Sequence, residues 1–271
     1  MRRFLNQPLA IGEEITLIDE DYNYIARVLR SRENDPIVLF NGEGGEYHGN
    51  IIEIAKRHLT VKLKKYNPLN RTSRVKINLL QSLAKGEKME LILQKSTELG
   101  VSSITPIATE RSVMHLKKDQ TEKRLERWNN IIYSACEQCE LNVPPMLHEP
   151  IALEKWLETE LAGLNTILLT LAPTAEHSLG RFLKELMSGQ ISLSDTDAEN
   201  HQVAPSLTIV IGPEGGLSDF EIELLQRAGA HSISLGNRIL RTETAALSVI
   251  STIQGIMGDW SEASEKNTFP E

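Results

Sequence analysis

The chain has 271 residues, 40% of them hydrophobic, enough to bury one or two cores at roughly 100 to 200 residues per domain. No stretch approaches the ~20 unbroken apolar residues of a membrane span, and the first residues lack the apolar run of a signal peptide, so a cytoplasmic protein without membrane contact is expected. The two cysteines, Cys136 and Cys139, are too few for a disulfide framework or for four thiolates around zinc. The net charge of -8 argues against a uniformly nucleic-acid-binding surface, but the charge is uneven. Residues 1–130 hold 22 Lys and Arg against 17 Asp and Glu, whereas residues 131–271 hold 7 against 20. That leaves the first half free to face RNA, although ordinary surface scatter accounts for the same numbers.

Residues 15–61 read as short β runs broken by turn residues, with strands predicted over 14–18, 36–40, 47–54 and 59–63, and the natural outcome is a small barrel. The NGEGG run from Asn41 lies between two of these strands and reads as a hairpin connection. A polar stretch over 66–74, containing Pro68, marks a boundary. Beyond it strands alternate with amphipathic helices: a strand over 75–80, a helix over 85–99 stopped by Gly100, a strand over 101–107 and a helix over 121–139. Three more β-rich runs over 166–171, 207–211 and 231–235, each followed by a helical pattern, predict a largely parallel sheet. Residues 188–206 and 261–271 are polar without apolar period and read as mobile. The expected division is 1–72, 73–260 and a tail over 261–271.

Two segments carry chemistry. From Leu207 a buried strand runs into the glycine turn IGPEGGLSDFE, beginning at Ile211, and then into a helix whose capping box is Ser218 and Glu221. Gly212, Gly215 and Gly216 suit a sharp turn or a close ligand, and the absence of Lys or Arg from the loop disfavours a phosphate. The same residues make a tight strand-to-helix turn with no ligand. The second segment, LGNRILRTETA from Leu235, is an irregular loop in which Ile239 and Leu240 are expected to pack inward, leading to a helix capped by Thr242 or Thr244. There Arg241 either serves chemistry or merely pairs with Glu243. Cys136 and Cys139 stand at i and i+3 of a helix without a second cysteine pair, so they read as structural. His115, His148 and His177 have no metal-ligand spacing.

These two motifs, with LLTLAP at 168–173, resemble the RsmE family of SPOUT-class RNA methyltransferases. So do MRRFL at the start, YIARVLR from Tyr24, QSLAKGEKMELILQKSTELGV from Gln81, ERSV from Glu110 and RWNNIIYSACEQC from Arg127. The resemblance implies an α/β fold in which a PUA-like RNA-binding β-barrel (1–72) precedes a SPOUT domain (73–260) whose chain forms a deep trefoil knot. It implies S-adenosyl-L-methionine as cofactor, no metal, a homodimer, and methylation of N3 of one uridine of 16S ribosomal RNA near the decoding centre of the small subunit. The cofactor would lie against Leu169, Thr170, Leu171, Ile211, Gly212, Pro213, Glu214, Gly215, Gly216, Leu235, Gly236, Ile239, Leu240, Thr242, Thr244 and Ala245. Arg241, oriented by Glu243, would stabilise the uridine anion, and Arg2, Arg3, Arg27 and Arg30 would hold phosphates. The apolar run Ala245, Ala246, Val249, Ile250, Ile253 and Ile256 is wide enough to serve both the core and a partner, although a buried helix in a monomer has the same pattern. The competing expectations are a ribosome-assembly factor of the same fold without catalysis and a SPOUT enzyme acting on another RNA.

Overall fold

A computed structural model describes residues 1–112, 118–191 and 206–261. Most of the polar connector (192–205), all but the first residue of the tail (262–271), Val113 and His115 lie outside the described residues. The chain divides into two compact units, Met1–Thr72 with Tyr133–Pro144, and Ser73–Ile132 with the chain from Pro145 onward.

The first unit is built on a mixed five-stranded sheet of β1 (Arg2–Phe4), β2 (Glu14–Ile18), β3 (Pro36–Phe40), β4 (Glu46–Ile54) and β5 (His58–Asn67), in the order β1-β3-β4-β5-β2. Alternation sets its faces: in β2, Ile15 and Leu17 are buried while Glu14, Thr16 and Ile18 are exposed. Ile15, Leu17, Ile37, Leu39, Ile51, Leu59, Val61 and Leu63 form the core with Tyr22 and Ile25. Those two come from α1 (Asp19–Tyr22) and the π-helical turn Asn23–Val28 that continues it. Gly42, Gly44 and Gly45 all have positive φ in the β3–β4 turn, and a Cβ on Gly45 would strike the Tyr66 ring.

Residues 133–144 complete this unit, which the sequence reading does not foresee. They include the last turns of α3 (Lys118–Cys139). The Phe4 ring stacks on Tyr133 with centroids 4.1 Å apart, and Glu137 accepts a hydrogen bond from the Phe4 amide at 3.1 Å. Buried Asn142 donates to the carbonyls of Gly45 and Leu69 and accepts from the Arg71 amide. Cys136 is buried, and burial pushes its thiol well above the ordinary range, which fits a packing role.

The second unit carries β6 (Lys76–Ser82), β7 (Ser103–Ala108), β8 (Met146–Leu147), β9 (Ile151–Ala152), β10 (Ile167–Leu171), β11 (Ser206–Ile211) and β12 (His231–Ile233). They pair in the order β12-β10-β11-β6-β7-β8, with β9 also on β7, and every pairing is parallel. Both faces are covered, as a parallel sheet requires. On one side Leu80, Ile107, Leu168 and Val210 pack with Leu153 and Trp156 of α4 (Leu153–Thr159) and Leu225 of α6 (Asp219–Arg227). The remaining helices are α2 (Glu87–Glu98), α5 (Leu179–Met187) and α7 (Thr242–Ile256), and α7 packs against both α2 and α5. Ala245, Ala246, Val249, Ile250 and Ile253 of α7 are buried inside this unit, which is the core share of the apolar run, and Ile256 is half-buried. No described helix is long and apolar enough to cross a membrane.

Candidate functional site

Because β12, β10 and β11 are neighbours and parallel, the loops that leave their carboxyl ends must converge, and ligands of open α/β sheets sit at such ends. They enclose a cleft of about 450 Å³. Leu171, Ile211, Gly212, Pro213, Glu214, Gly215, Gly216, Leu235, Gly236, Ile239, Leu240, Thr242 and Ala245 line it, as does Arg241. Of the expected ligand residues, Leu169 and Thr170 are buried within β10 and Thr244 is exposed on α7, and none of the three lines the cleft. Ala172, Pro173, Leu217, Ile233 and Arg238 do: they lie in or beside the three motifs but are not among the expected ligand residues.

The frame of the cleft comes from residues far away in sequence. Thr242 donates from Oγ1 to the Gly212 carbonyl at 2.8 Å and accepts from buried Gln81 at 3.0 Å, which ties the start of α7 to the ends of β11 and β6. Thr242 therefore does not cap α7: the N-cap position is Arg241, and no side chain caps it. The first-turn amides are left for other acceptors. Ser218 and Glu221 form the expected capping box of α6, and Glu221 also accepts from the Glu110 amide at 2.9 Å. Next to it, Arg111 donates from Nη1 to the Gly215 and Leu217 carbonyls, both at 3.1 Å, bracing the glycine loop from outside. Gln81, Glu110 and Arg111 all fall in segments quoted for the family resemblance, but nothing local marks them as supports.

Charge in the site departs from expectation. Glu243 does not approach Arg241: its Oε2 is buried without a hydrogen bond and lies 4.0 Å from Lys88 of α2. The Lys88 ammonium donates to Glu214 at 2.7 Å, and this hydrogen bond holds the Glu214 carboxyl below the ordinary range. Lys88 thus joins the glycine loop to the first turn of α7. The Arg241 guanidinium is exposed and makes no ion pair among the described residues. Ile239, expected to pack inward, is 89% exposed at the cleft rim.

The four arginines of the first unit divide into two pairs. Arg2 lies 2.8 Å from the buried Glu46 carboxylate, and Arg3 pairs with Asp21 and Glu137. Both make ion pairs within the first unit, with side-chain exposures of 10% for Arg2 and 21% for Arg3. Arg27, which lies over the Tyr22 ring, and Arg30 are exposed. Among the described residues no cluster of His, Cys, Asp and Glu has a metal-binding arrangement.

The RNA methyltransferase domain family matches residues 71–254, and the RNA methyltransferase PUA domain family matches residues 12–64. The chain is 32% identical to ribosomal RNA small subunit methyltransferase E of Rickettsia conorii, with 93% of this chain and 94% of that protein covered. It is similar to a Legionella pneumophila methyltransferase structure with the bound cofactor SAM, at 34% identity, 95% and 98% coverage and a TM-score of 0.82. It also resembles the ribosomal RNA small subunit methyltransferase E of Neisseria gonorrhoeae bound to S-adenosyl methionine, at 30% identity, 96% and 98% coverage and a TM-score of 0.81.

Proposed function

Because the chain belongs to the family of ribosomal RNA small subunit methyltransferase E, we propose that it methylates N3 of one uridine of 16S ribosomal RNA near the decoding centre, using S-adenosyl-L-methionine. The observation that carries this reading is the cleft at the ends of β10, β11 and β12. Its walls are apolar at Leu171, Ile211, Leu235 and Leu240, its glycine loop has no cationic side chain, and the first turn of α7 is uncapped. Those features fit a nucleoside held by apolar contact and backbone groups together with a carboxylate at a helix start. The bound cofactor supplies a sulfonium methyl, which leaves sulfur as a neutral thioether while the N3–carbon bond forms.

The N3 proton passes to solvent, and the charge left on the base is what the protein must stabilise. Arg241 lines the cleft, its guanidinium in no ion pair among the described residues, and takes that role. Glu243, drawn towards Lys88, positions the start of α7 instead of orienting Arg241. Residues 1–72 act as the PUA-like RNA-binding domain with Arg27 and Arg30 on phosphate, and 73–260 as the SPOUT domain with its trefoil knot. The protein works as a cytoplasmic homodimer without metal. Incubating small subunits with the protein and isotope-labelled cofactor, followed by mass spectrometry of 16S RNA fragments, tests the reading. We expect one labelled uridine with the methyl on N3. An unlabelled 16S RNA, or label on a ribose, overturns it.

A further inference from the structure

The second unit has another groove, about 530 Å³, over α2 and the first part of α3, lined by Glu87, Lys88, Glu90, Leu91, Gln94 and Ile131. It meets the cleft at one ion pair: Lys88 lines the groove, and its ammonium lies 2.7 Å from Glu214, which lines the cleft. A transfer between two bound molecules needs two adjoining sites, with the reacting atoms brought to about 3 to 3.5 Å. We propose that this groove holds the target uracil of the RNA, its face on Leu91 and Ile131 and its carbonyl oxygens on Gln94 and Lys88. The proposal rests on the methyltransferase reading above.

The chemistry of the lining selects a base over a backbone. Leu91 is 41% exposed, and with half-buried Ile131 it offers an apolar floor to a ring face. Uracil flanks N3 with two carbonyl oxygens, and loss of the N3 proton puts the negative charge on them. Donors placed at those oxygens therefore favour the reactive anion, sharing with Arg241 the charge left on the base. Gln94 is exposed with two amide N–H donors, and the Lys88 ammonium has three, one of them engaged by Glu214. At the edge of the groove Arg127, 67% exposed and 2.7 Å from Glu90, is a cation within reach of a flanking phosphate.

The test uses small subunits from cells lacking this protein, labelled cofactor at saturation, and single-turnover rates. We expect Gln94→Leu and Gln94→Glu, which remove the amide donors, and Leu91→Trp, which fills the groove, each to slow methylation at least about tenfold. Cofactor affinity by calorimetry and mass by light scattering should match the unaltered protein. Wild-type rates in all three variants overturn the proposal. So does a loss of cofactor affinity as large as the loss of rate, which makes the groove a support of the cleft, or a changed mass in Leu91→Trp, which makes it a contact between copies. Unaltered protein that binds cofactor but labels no RNA overturns the methyltransferase reading itself; labelling with unaffected variants removes the groove alone.

Discussion

Gly212, Gly215 and Gly216 lie within five residues of one another but are glycine for different reasons. Gly216 has φ +71°, where a side chain is strained whatever the space. A Cβ on Gly212 would come within 3.1 Å of the Leu217 Cγ, whereas on Gly215 it would make ordinary contact with Arg111 at 3.5 Å. Gly212→Val should therefore abolish S-adenosylmethionine binding and destabilise the protein by about 1 to 3 kcal/mol, and Gly215→Ala should leave both nearly unchanged. Calorimetric titration and thermal melting check this order. Sequence shows that the turn needs small residues, but which glycine is constrained depends on φ and on Arg111, 104 residues away. The same holds for Arg241 and Glu243, whose nearness in sequence suggests a pair that Lys88 pre-empts. Arg241→Ala should lower the single-turnover rate at saturating cofactor by about 10² to 10³, as loss of one oxyanion donor does, whereas Glu243→Gln should weaken cofactor binding and spare that rate. An unchanged rate in Arg241→Ala removes it from the chemistry.

Among the elements, β2 and β3 were fully legible, because alternating or unbroken apolar residues between turn residues leave little choice of period. The three-residue strand β1 was not, because it is too short to show a period and joins the sheet only through parallel pairing with β3. That pairing places Arg2 and Arg3 beside acids that composition cannot reveal, Glu46 and, 134 residues away, Glu137. Side-chain exposures of 10% for Arg2 and 3% for Glu46 make theirs a buried pair, and Arg2→Ala leaves the carboxylate with Asn67, His48 and the more distant Arg71. We expect a loss of about 1.5 to 3 kcal/mol in denaturant unfolding, with the melting of the first unit as its signature. Arg27→Ala and Arg30→Ala should leave stability alone and each flatten the salt dependence of RNA binding by about one unit of log–log slope. The reverse pattern would return Arg2 to the RNA surface.

At the scale of the whole molecule, the parallel sheet was readable from its continuous apolar runs, but its strand order was not, since periodicity says nothing about which strand lies beside which. The convergence of three loops follows from β10 lying between β11 and β12, so the shape of the cleft depended on information that local sequence does not carry. Self-association meets a similar limit. A helix with a wide apolar face suits a partner or a core, and here α7 serves the core. Exposed apolar residues such as Ile239 at the cleft rim are left for a partner. We expect a dimer mass in light scattering at micromolar concentration and a shift towards monomer in Ile239→Asp. A monomer without the substitution counts against self-association.

The first unit is also discontinuous, and this matters while the protein is being made. Residues 1–72 leave the ribosome on the order of ten seconds before residue 144 is joined, at ~5 to 20 residues per second. Throughout that interval Arg3 lacks Glu137, Phe4 lacks the Tyr133 ring, and the carbonyls of Gly45 and Leu69 lack Asn142. The nascent chain therefore carries a five-stranded sheet without its covering segment 133–144 while the second unit's first strands are being synthesised. A fragment ending at Thr72 should remain sensitive to protease, and one extended through Pro144 should gain protection. Molecules whose translation stalls between those points are the ones most exposed to proteolysis and aggregation.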